Sequence, residues 1–473
     1  MKRAIPCASL IAVGIVGTSS LHALHAQSPT VPSDADIRQI LVDRIDRDRQ
    51  SVGIVVGVID GKDGSDARAR RVITYGSLEK GDSRPLTGDT IFEIGSVTKV
   101  FTSLVLADMV KRGEVALTDP VAKYLPADVK VPERNGRAIT LQDLATHTSG
   151  LPRLPTNMMP KDRANPYANY SVAQLYQFLS TYTLPRDIGS RYEYSNLGGG
   201  LLGHVLALRA GMDYEALVRS RITGPLTMTS TSITLSADQQ RRLAVGHNDK
   251  LASVPNWDLP TLAGGGALRS TANDMLTFVA ANLGATPSPL ASAMSAMLTD
   301  RRPTGMPGTD VALAWHIFTR SNDEIIWHNG GTGGYRSFIG FSPRTKVGVV
   351  VLSNTSTLAG VDDIGLHVLD ARLPTMPPPK VHTEVTVDPN LLDGYVGAYQ
   401  LAPNFVLTVT REANRLFVQA TGQPKFEIFA EAAKEYFLKA VDAQLSFVTN
   451  ADGRATAVIL HQNGANVTGQ RIN

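Results

Sequence analysis

A serine and a lysine three residues apart are the first pair in the sequence that could perform covalent chemistry. Ser96 and Lys99 lie in the segment 91–99, where a strand-like run breaks at Gly95 and a strongly apolar helix is predicted over 97–112. A helix N-terminus carries free N–H groups that favour an alkoxide or an oxyanion, so Ser96 is a candidate nucleophile. Lys99 lies one turn further on the same face. Its apolar neighbours should lower the pKa of its amine, which could then act as a base.

Two Tyr-x-Asn sequences could place a phenol near this pair. They are Tyr167-Ala168-Asn169, in a loop rich in Pro, Met and Asn, and Tyr194-Ser195-Asn196, which precedes an apolar helix predicted over 197–208. Nothing in the first loop is expected to fix its side chains. Because a catalytic phenol needs a constrained position beside a rigid element, Tyr194 is the stronger candidate. A loop tyrosine followed by a turn asparagine is the alternative interpretation of both.

A glycine-rich hairpin supplies the third group of candidates. Trp327-His328-Asn329-Gly330-Gly331 stands at the end of one predicted strand and leads into the turn to the next. Glycines let backbone N–H groups approach a bound carbonyl closely, as an oxyanion hole requires. A histidine at the strand end could bind a substrate carboxylate or assist proton transfer. Taken alone, the segment is also compatible with an ordinary hairpin.

In this order, the three groups resemble the serine β-lactamase and penicillin-binding-protein superfamily, and most of all its class C β-lactamase branch. That branch also contains esterases and D-amino-acid-specific peptidases. The windows 140–151 and 263–275 are similar to stretches common in the branch and are interpreted as scaffold. The resemblance extends over about residues 34–370.

The resemblance implies a role for each candidate. Ser96 becomes the nucleophile, and Lys99 and Tyr194 form the proton-transfer pair. Asn196 holds the lysine or the substrate amide. The backbone N–H groups of Ser96 and Gly331 form the oxyanion hole. A cationic lysine would lower the pKa of the phenol so that it could accept the serine proton, and which of the two is the base stays open.

One departure from the family pattern bears on the substrate. The pattern has lysine, then Thr or Ser, then Gly, whereas this chain has His328-Asn329-Gly330. A histidine is largely neutral at pH 7 and attracts a substrate carboxylate less than an ammonium does. The expected function is an acyl-enzyme serine hydrolase, first of all a class C-like β-lactamase. A carboxylesterase or D-Ala-D-Ala carboxypeptidase is the alternative, and a penicillin-binding or cell-wall-sensing protein without turnover is a second alternative.

The element pattern predicts an α/β (α+β) fold with an antiparallel sheet flanked by helices. Strands are expected at both ends of the first 370 residues and helices between them, which indicates an all-helical insertion over about 98–300. Residues 27–373 would form this catalytic domain and 374–390 a Pro-rich linker. Residues 391–473 are predicted to form a small all-β, barrel-like domain that resembles the lipocalin-like extension of some family members.

Composition and the N-terminus restrict the remaining possibilities. Lys2 and Arg3 followed by an apolar stretch and Leu24-His25-Ala26 are typical of a signal peptide, residues 1–26, and predict a periplasmic or secreted protein without a later transmembrane segment. The 46 basic and 43 acidic residues nearly balance, which gives no reason to expect nucleic-acid binding. The sole cysteine, Cys7, lies in the signal. With no zinc spacing, nucleotide loop or Gly-x-Ser-x-Gly, no metal, cofactor or protein partner is expected.

Overall fold

The computed structural model of the protein describes residues 31–60, 70–320, 323–357, 359–377, 382–402, 405–439, 443–462 and 465–472. The predicted signal peptide, residues 1–26, lies outside these ranges. The chain divides into two compact units, Met1–Pro377 and Pro378–Asn473. In the described ranges, none of the helices has the length and apolar character needed to cross a membrane.

Unit 1 contains one large antiparallel sheet and three small two-stranded ones. Its strands are β1 (Gly53–Ile59), β2 (Arg70–Gly76), β3 (Ile91–Glu93), β4 (Glu133–Arg134), β5 (Arg137–Ala138), β6 (Gly246–His247), β7 (Ser253–Val254), β8 (Arg269–Thr271), β9 (Arg302–Pro303), β10 (Thr309–Val311), β11 (His316–Arg320), β12 (Asp323–Gly331), β13 (Arg336–Ser342) and β14 (Val347–Ser353). The large sheet has the order β2-β1-β14-β13-β12-β11-β10-β9. This order confirms the predicted assembly of one sheet from distant segments.

Most helices of unit 1 lie in the long insertion between β2 and β9. They are α1 (Asp34–Val42), α2 (Thr98–Lys111), α3 (Leu141–Ala145), α4 (Val172–Thr181), α5 (Asn196–Ala210), α6 (Tyr214–Val218), α7 (Ala237–Arg242), α8 (Ala272–Asn282), α9 (Ala291–Ala296) and α10 (Asp362–Leu369). The first helix ends at Val42 and continues as a π-helical turn over Asp43–Arg47.

The central strands of the sheet are covered on both faces. All residues of β1 and β14 are buried, which explains why both strands are nearly continuous β-branched runs rather than alternating ones. Helix α8 packs on one face, where a Cβ on Gly57 would lie 2.8 Å from Leu276. Helices α1 and α10 cover the other face, in a core that includes Ile37, Phe338 and Val368.

Helix α5 packs unusually closely against a glycine turn. A Cβ built on Gly203 would lie 2.7 Å from the Cα of Gly264, and one on Gly264 would lie 2.8 Å from the Cα of Gly203. Only a pair of residues without side chains allows two backbones to approach this far. The glycines at 198–200 and 264–266, for which a nucleotide-binding role was already unlikely from sequence, therefore bring the helix and the turn together.

Unit 2 is a closed antiparallel barrel, as the sequence predicted. Its one α-helix in the described ranges is α11 (Leu392–Tyr395), and its strands are β15 (Gly397–Ala402), β16 (Phe405–Glu412), β17 (Arg415–Ala420), β18 (Lys425–Ala430), β19 (Glu435–Leu438), β20 (Ala443–Thr449), β21 (Ala455–Gln462) and β22 (Ala465–Arg471). Neighbouring strands pair in chain order, and β15 pairs with β22 to close the ring. Its core contains Tyr395, Tyr399, Tyr436 and Phe447.

The segment predicted as a linker is partly bound to the barrel. The backbone N–H of Val385 donates to the carbonyl of Ala430 at 2.8 Å, and Nδ1 of His382 lies 2.9 Å from a carboxylate oxygen of Glu431. The His382 ring also stacks on Phe437, with centroids 4.7 Å apart. Composition alone predicted an extended linker over 374–390, but its second half belongs to the barrel unit.

The contact between α5 and the glycine turn can be tested by adding one methyl group. We expect Gly203→Ala to lower the free energy of unfolding of unit 1 by about 1–3 kcal/mol, because the new Cβ would overlap backbone that cannot rotate away. Denaturant unfolding followed by tryptophan fluorescence measures this unit, since all three tryptophans, at 257, 315 and 327, lie in it.

Leu208→Ala provides the matched control on the same helix. Leu208 is 45% exposed, so its truncation should change the unfolding free energy by no more than about 0.5 kcal/mol. Equal losses in the two variants would contradict the close-packing account.

Candidate active site

Ser96 lies in a tight turn at the N-terminal end of a buried helix. The turn is a 3-10 helix over Gly95–Val97 that leads directly into α2. Gly95 has φ +50°, and a Cβ on it would lie 2.7 Å from the backbone nitrogen of Gly331 on β12. A side chain at position 95 would therefore push the strand away. Glycine brings the Gly331 N–H beside Ser96, as an oxyanion hole requires.

A cleft of about 290 Å³ opens over the serine. Its lining includes Ser96, Gly331, Thr332, Tyr167, Asn196 and Trp257. On the β11 side of β12, strand pairing ends at Trp327, so the edge of β12 beyond it has no neighbouring strand among the described residues. An extended substrate could lie along this edge.

Lys99 is buried at the base of the cleft. Its Nζ lies 3.1 Å from Oγ of Ser96, 2.9 Å from Oδ1 of Asn196 and 2.6 Å from the carbonyl oxygen of Gly265. The side chain is 2% exposed. Burial, reinforced by the positive charge of Arg153, holds the pKa of Lys99 well below its usual value, which favours the neutral form of the amine. The predicted direction of this shift is confirmed.

The orientation of the Asn196 amide follows from its second hydrogen bond. Nδ2 of Asn196 donates to the hydroxyl of Tyr167 at 3.2 Å, which leaves Oδ1 facing Lys99. Oδ1 of Asn196 and the carbonyl of Gly265 can only accept hydrogen bonds. If the Lys99 amine is neutral, these two acceptors take both of its N–H groups, and the lone pair is left for the Ser96 hydroxyl.

Tyr194 completes the group that the sequence singled out. Its hydroxyl is hydrogen-bonded to Ser96, and Nζ of Lys99 lies 4.8 Å from the centroid of its ring. Burial raises the pKa of Tyr194, the hydrogen bond to Ser96 opposing this only in part. The expectation that a cationic lysine would lower this pKa is not met, because burial outweighs the interactions that lower it.

His328 lies behind Tyr194 rather than in the cleft. It is fully buried, with its ring centroid 6.5 Å from that of Tyr194 and 5.4 Å from that of His316. Burial, followed by the nearby His316 and Lys99, holds the pKa of His328 well below its usual value. This placement does not favour the predicted contact with a substrate carboxylate.

The two glycines after His328 have different surroundings. A Cβ on Gly330 would collide with the carbonyl oxygen of Ile94 and with Oγ of Ser337, so this glycine allows β12 to pack against the segment before Ser96. Gly331 borders the cleft. Of the predicted pair, only Gly331 is therefore positioned to hold a reacting carbonyl oxygen.

The sequence did not identify the glycine turn as part of the site. The window 263–275 was interpreted as scaffold, yet the Gly265 carbonyl is a direct partner of Lys99. Helix α5 adds a second constraint, since a Cβ on Gly199 would lie 2.9 Å from Cε of Lys99. Every residue has a backbone carbonyl, so the residue type cannot show which carbonyl contacts Lys99. Only the spacing of the glycines indicated close packing here.

Tyr167 also belongs to the site, contrary to the expectation that nothing fixes its side chain. It is buried, bonded to Asn196 and tilted against the Trp257 ring at 5.3 Å. The backbone N–H of Trp257 donates to the carboxylate of Glu93, and its indole N–H donates to the carbonyl of Ala164. Tyr167 therefore forms a wall of the cleft, whereas Tyr194 is the phenol hydrogen-bonded to Ser96.

Metal ligation has no support in the described part of the chain. The His, Cys, Asp and Glu side chains there form no group of three or more that could hold a metal ion. Three histidines near Tyr194, at positions 147, 316 and 328, pack against aromatic rings instead. The ring centroid of His316, for example, lies 5.0 Å from that of Trp327.

Two family models match the chain. Beta-lactamase matches residues 38–371, and the Domain of unknown function (DUF3471) matches residues 381–472. The chain is 33% identical over 376 residues to the D-alanyl-D-alanine-carboxypeptidase/endopeptidase AmpH of Escherichia coli, covering 76% of this chain and 93% of AmpH. It is 27% identical to a beta-lactamase of Escherichia coli over 318 residues, covering 59% of this chain and 80% of that protein.

Solved structures have the same fold as unit 1. A beta-lactamase/D-alanine carboxypeptidase of Yersinia pestis superposes with a TM-score of 0.60 at 28% identity, covering 71% of this chain and 98% of that one. A class C beta lactamase of Rhodobacter sphaeroides gives 0.59 at 26% identity, covering 71% and 97%. With the family model spanning most of the sequence, the chain belongs to the Beta-lactamase family and is a serine hydrolase.

Proposed function

We propose that the protein hydrolyses peptides ending in D-alanyl-D-alanine through an acyl-enzyme on Ser96. The observation that carries the proposal is the contact of the buried Lys99 amine, whose pKa is lowered, with the Ser96 hydroxyl at 3.1 Å. The similarity to AmpH, named as a carboxypeptidase and endopeptidase for this type of peptide, supports the choice of substrate.

The hydrogen bonds support Lys99 as the base in acylation. In the neutral amine, the two N–H groups go to Asn196 and Gly265, and the Ser96 hydroxyl can then donate to the lone pair. Tyr194, with a raised pKa, keeps its proton and donates to Oγ of Ser96. A proton can therefore pass from Ser96 to Lys99 as Oγ attacks the carbonyl carbon.

The later steps use the same groups in turn. The oxyanion is held by the N–H groups of Ser96 and Gly331. When the peptide bond breaks, the leaving nitrogen takes the Tyr194 proton, and the protonated amine of Lys99 returns one to the phenol. Water then attacks the acyl-enzyme, with these proton transfers reversed, and releases Ser96.

β-Lactam hydrolysis is the second candidate, because it uses the same nucleophile on a strained amide. Similarity to the beta-lactamase of Escherichia coli and to the class C enzyme of Rhodobacter sphaeroides supports it. Neutral ester hydrolysis and penicillin binding without turnover are the remaining outcomes of the test below. The buried His328 adds no positive charge for the carboxylate of either substrate, so the choice of the peptide rests on the similarity to AmpH.

The proposal also includes export of the protein and a lipocalin-like character of the C-terminal barrel. Both rest on the sequence alone. The pattern of residues 1–26 supports a periplasmic or secreted location, where D-alanyl peptides of the cell wall are accessible. The lipocalin-like resemblance of the C-terminal domain stays a prediction, and no activity is assigned to the barrel.

Three substrates offered to purified enzyme test the proposal. We expect release of D-alanine from an N-acetylated D-Ala-D-Ala peptide, and its loss in Ser96→Ala by at least about a thousandfold because no other nucleophile contacts Lys99. A chromogenic cephalosporin and a p-nitrophenyl ester serve as the competing substrates. Rapid cephalosporin turnover without D-alanine release would favour the second candidate. Labelling by a fluorescent penicillin without any turnover would contradict both hydrolytic candidates.

The state of the Lys99 amine predicts a specific pH dependence. The neutral amine is the proposed active form, so kcat/KM should fall as pH drops through the lowered pKa of Lys99. Arg153→Gln removes a positive charge that helps to lower this pKa. The acidic limb of the profile should therefore move to higher pH.

Arg219→Gln is the matched control for this profile. Arg219 is an exposed arginine that makes no contribution to the pKa of Lys99. Its substitution should leave the acidic limb unchanged. An acidic limb that stays in place in Arg153→Gln would exclude Lys99 as the group that titrates there.

A further inference from the structure

The strand that lines the cleft carries no cation of its own, yet an arginine from the next strand reaches it. Arg336 is the first residue of β13 and pairs in register with Gly331 on β12. A Cβ built on Gly331 would collide with Nη1 of Arg336. The space left by the missing side chain is therefore occupied by a guanidinium, directly beside the backbone that would hold the oxyanion.

One nitrogen of the Arg336 guanidinium donates a hydrogen bond, and the other two have no partner among the described residues. Its Nε donates to the carbonyl oxygen of Thr357 at 2.9 Å. Among the described residues, Nη1 and Nη2 have no hydrogen-bond acceptor and no carboxylate within ion-pair distance, and neither nitrogen is sealed from solvent. A structural arginine would use these donors, whereas Arg336 is partly exposed and keeps Nη1 beside Gly331, a residue that lines the cleft.

We infer that Arg336 binds the free carboxylate of the substrate and so selects acyl donors that carry one on the leaving group. A carboxylate of this kind lies only a few bonds from the reacting carbonyl, which Gly331 holds next to the guanidinium. The inference rests on the proposed function and names the residue that recognises the substrate terminus. It also explains how the site can lack an ammonium at position 328, where a buried neutral histidine stands.

Asn329 and Asp362 form the rest of this corner of the cleft. Asn329 shares a face of β12 with Gly331, because side chains alternate along a strand. Nδ2 of Asn329 donates to the Asp362 carboxylate at the start of α10. The negative charge of Asp362 acts on Arg336 without pairing with it. It therefore weakens the attraction of this corner for an anion. Removing the charge of Asp362 should accordingly strengthen anion binding, which is the opposite of the effect expected from removing the charge of Arg336.

Binding measured on a Ser96→Ala background tests the inference apart from catalysis. The two probes are an N-acetylated D-Ala-D-Ala peptide and the same peptide with a C-terminal amide, titrated by calorimetry at pH 7.5. We expect the free acid to bind more tightly than the amide. Arg336→Gln should reduce this preference by about tenfold or more, with partial recovery in Arg336→Lys, because a charge-assisted bidentate contact is lost. Arg344→Gln, at the far end of β13, is the matched control and should leave the preference intact.

Asp362→Asn keeps the inference testable if Arg336→Gln does not fold. This variant should raise the preference for the free acid, because it removes the negative charge near Arg336 while an amide oxygen can still accept from Asn329. No preference in the parent, or an unchanged preference in folded Arg336→Gln or in Asp362→Asn, would overturn the inference.

Failure of the proposed function gives a different result. Enzyme with Ser96 that turns over neither peptide nor ester would contradict acyl transfer, while the binding comparison on Ser96→Ala would still stand.

Discussion

The burial of an amine in a dry environment is the constraint on which the proposed active site depends. Helix α2 is buried almost throughout and encloses Lys99, and this burial lowers the pKa of the amine. The same enclosure obliges the protein to satisfy each hydrogen of the amine. The Asn196 amide and the Gly265 carbonyl do this, and by using the donors of the amine they direct its lone pair to the serine.

Glycine determines how closely the surrounding elements can approach this amine. Gly199 lets α5 pass over the lysine stem, and the contact of Gly203 with Gly264 seats the turn that carries the Gly265 carbonyl. At the mouth of the cleft, Gly95 lets the turn that carries Ser96 contact Gly331. Each of these positions brings backbone into the site where a side chain would hold it away. The site is therefore built largely from main-chain groups around three reactive side chains.

Local spacing explains which parts of this arrangement could be predicted. Ser96 and Lys99 are one helical turn apart, so helix periodicity alone places them together, and Tyr194 stands just before a well-marked helix. The split sheet and the barrel were likewise readable from strand patterns. The Gly265 carbonyl and the Tyr167 hydroxyl reach the site through tertiary packing that has no local signature. His328 was expected to bind a substrate carboxylate or assist proton transfer, but the aromatic cluster of Tyr194, His316 and Trp327 encloses it.

The order of strands in the large sheet has a consequence for biosynthesis. Strand β1 pairs with β14, so that Ile54 stands opposite Ser353, and most of unit 1 lies between these partners. The turn that carries Ser96 is translated early. Its contact Gly331 and the closing strand β14 are translated near the end of the unit. A nascent chain therefore cannot assemble a working cleft until about residue 353 has left the ribosome, and a reactive serine is never presented on a half-made protein.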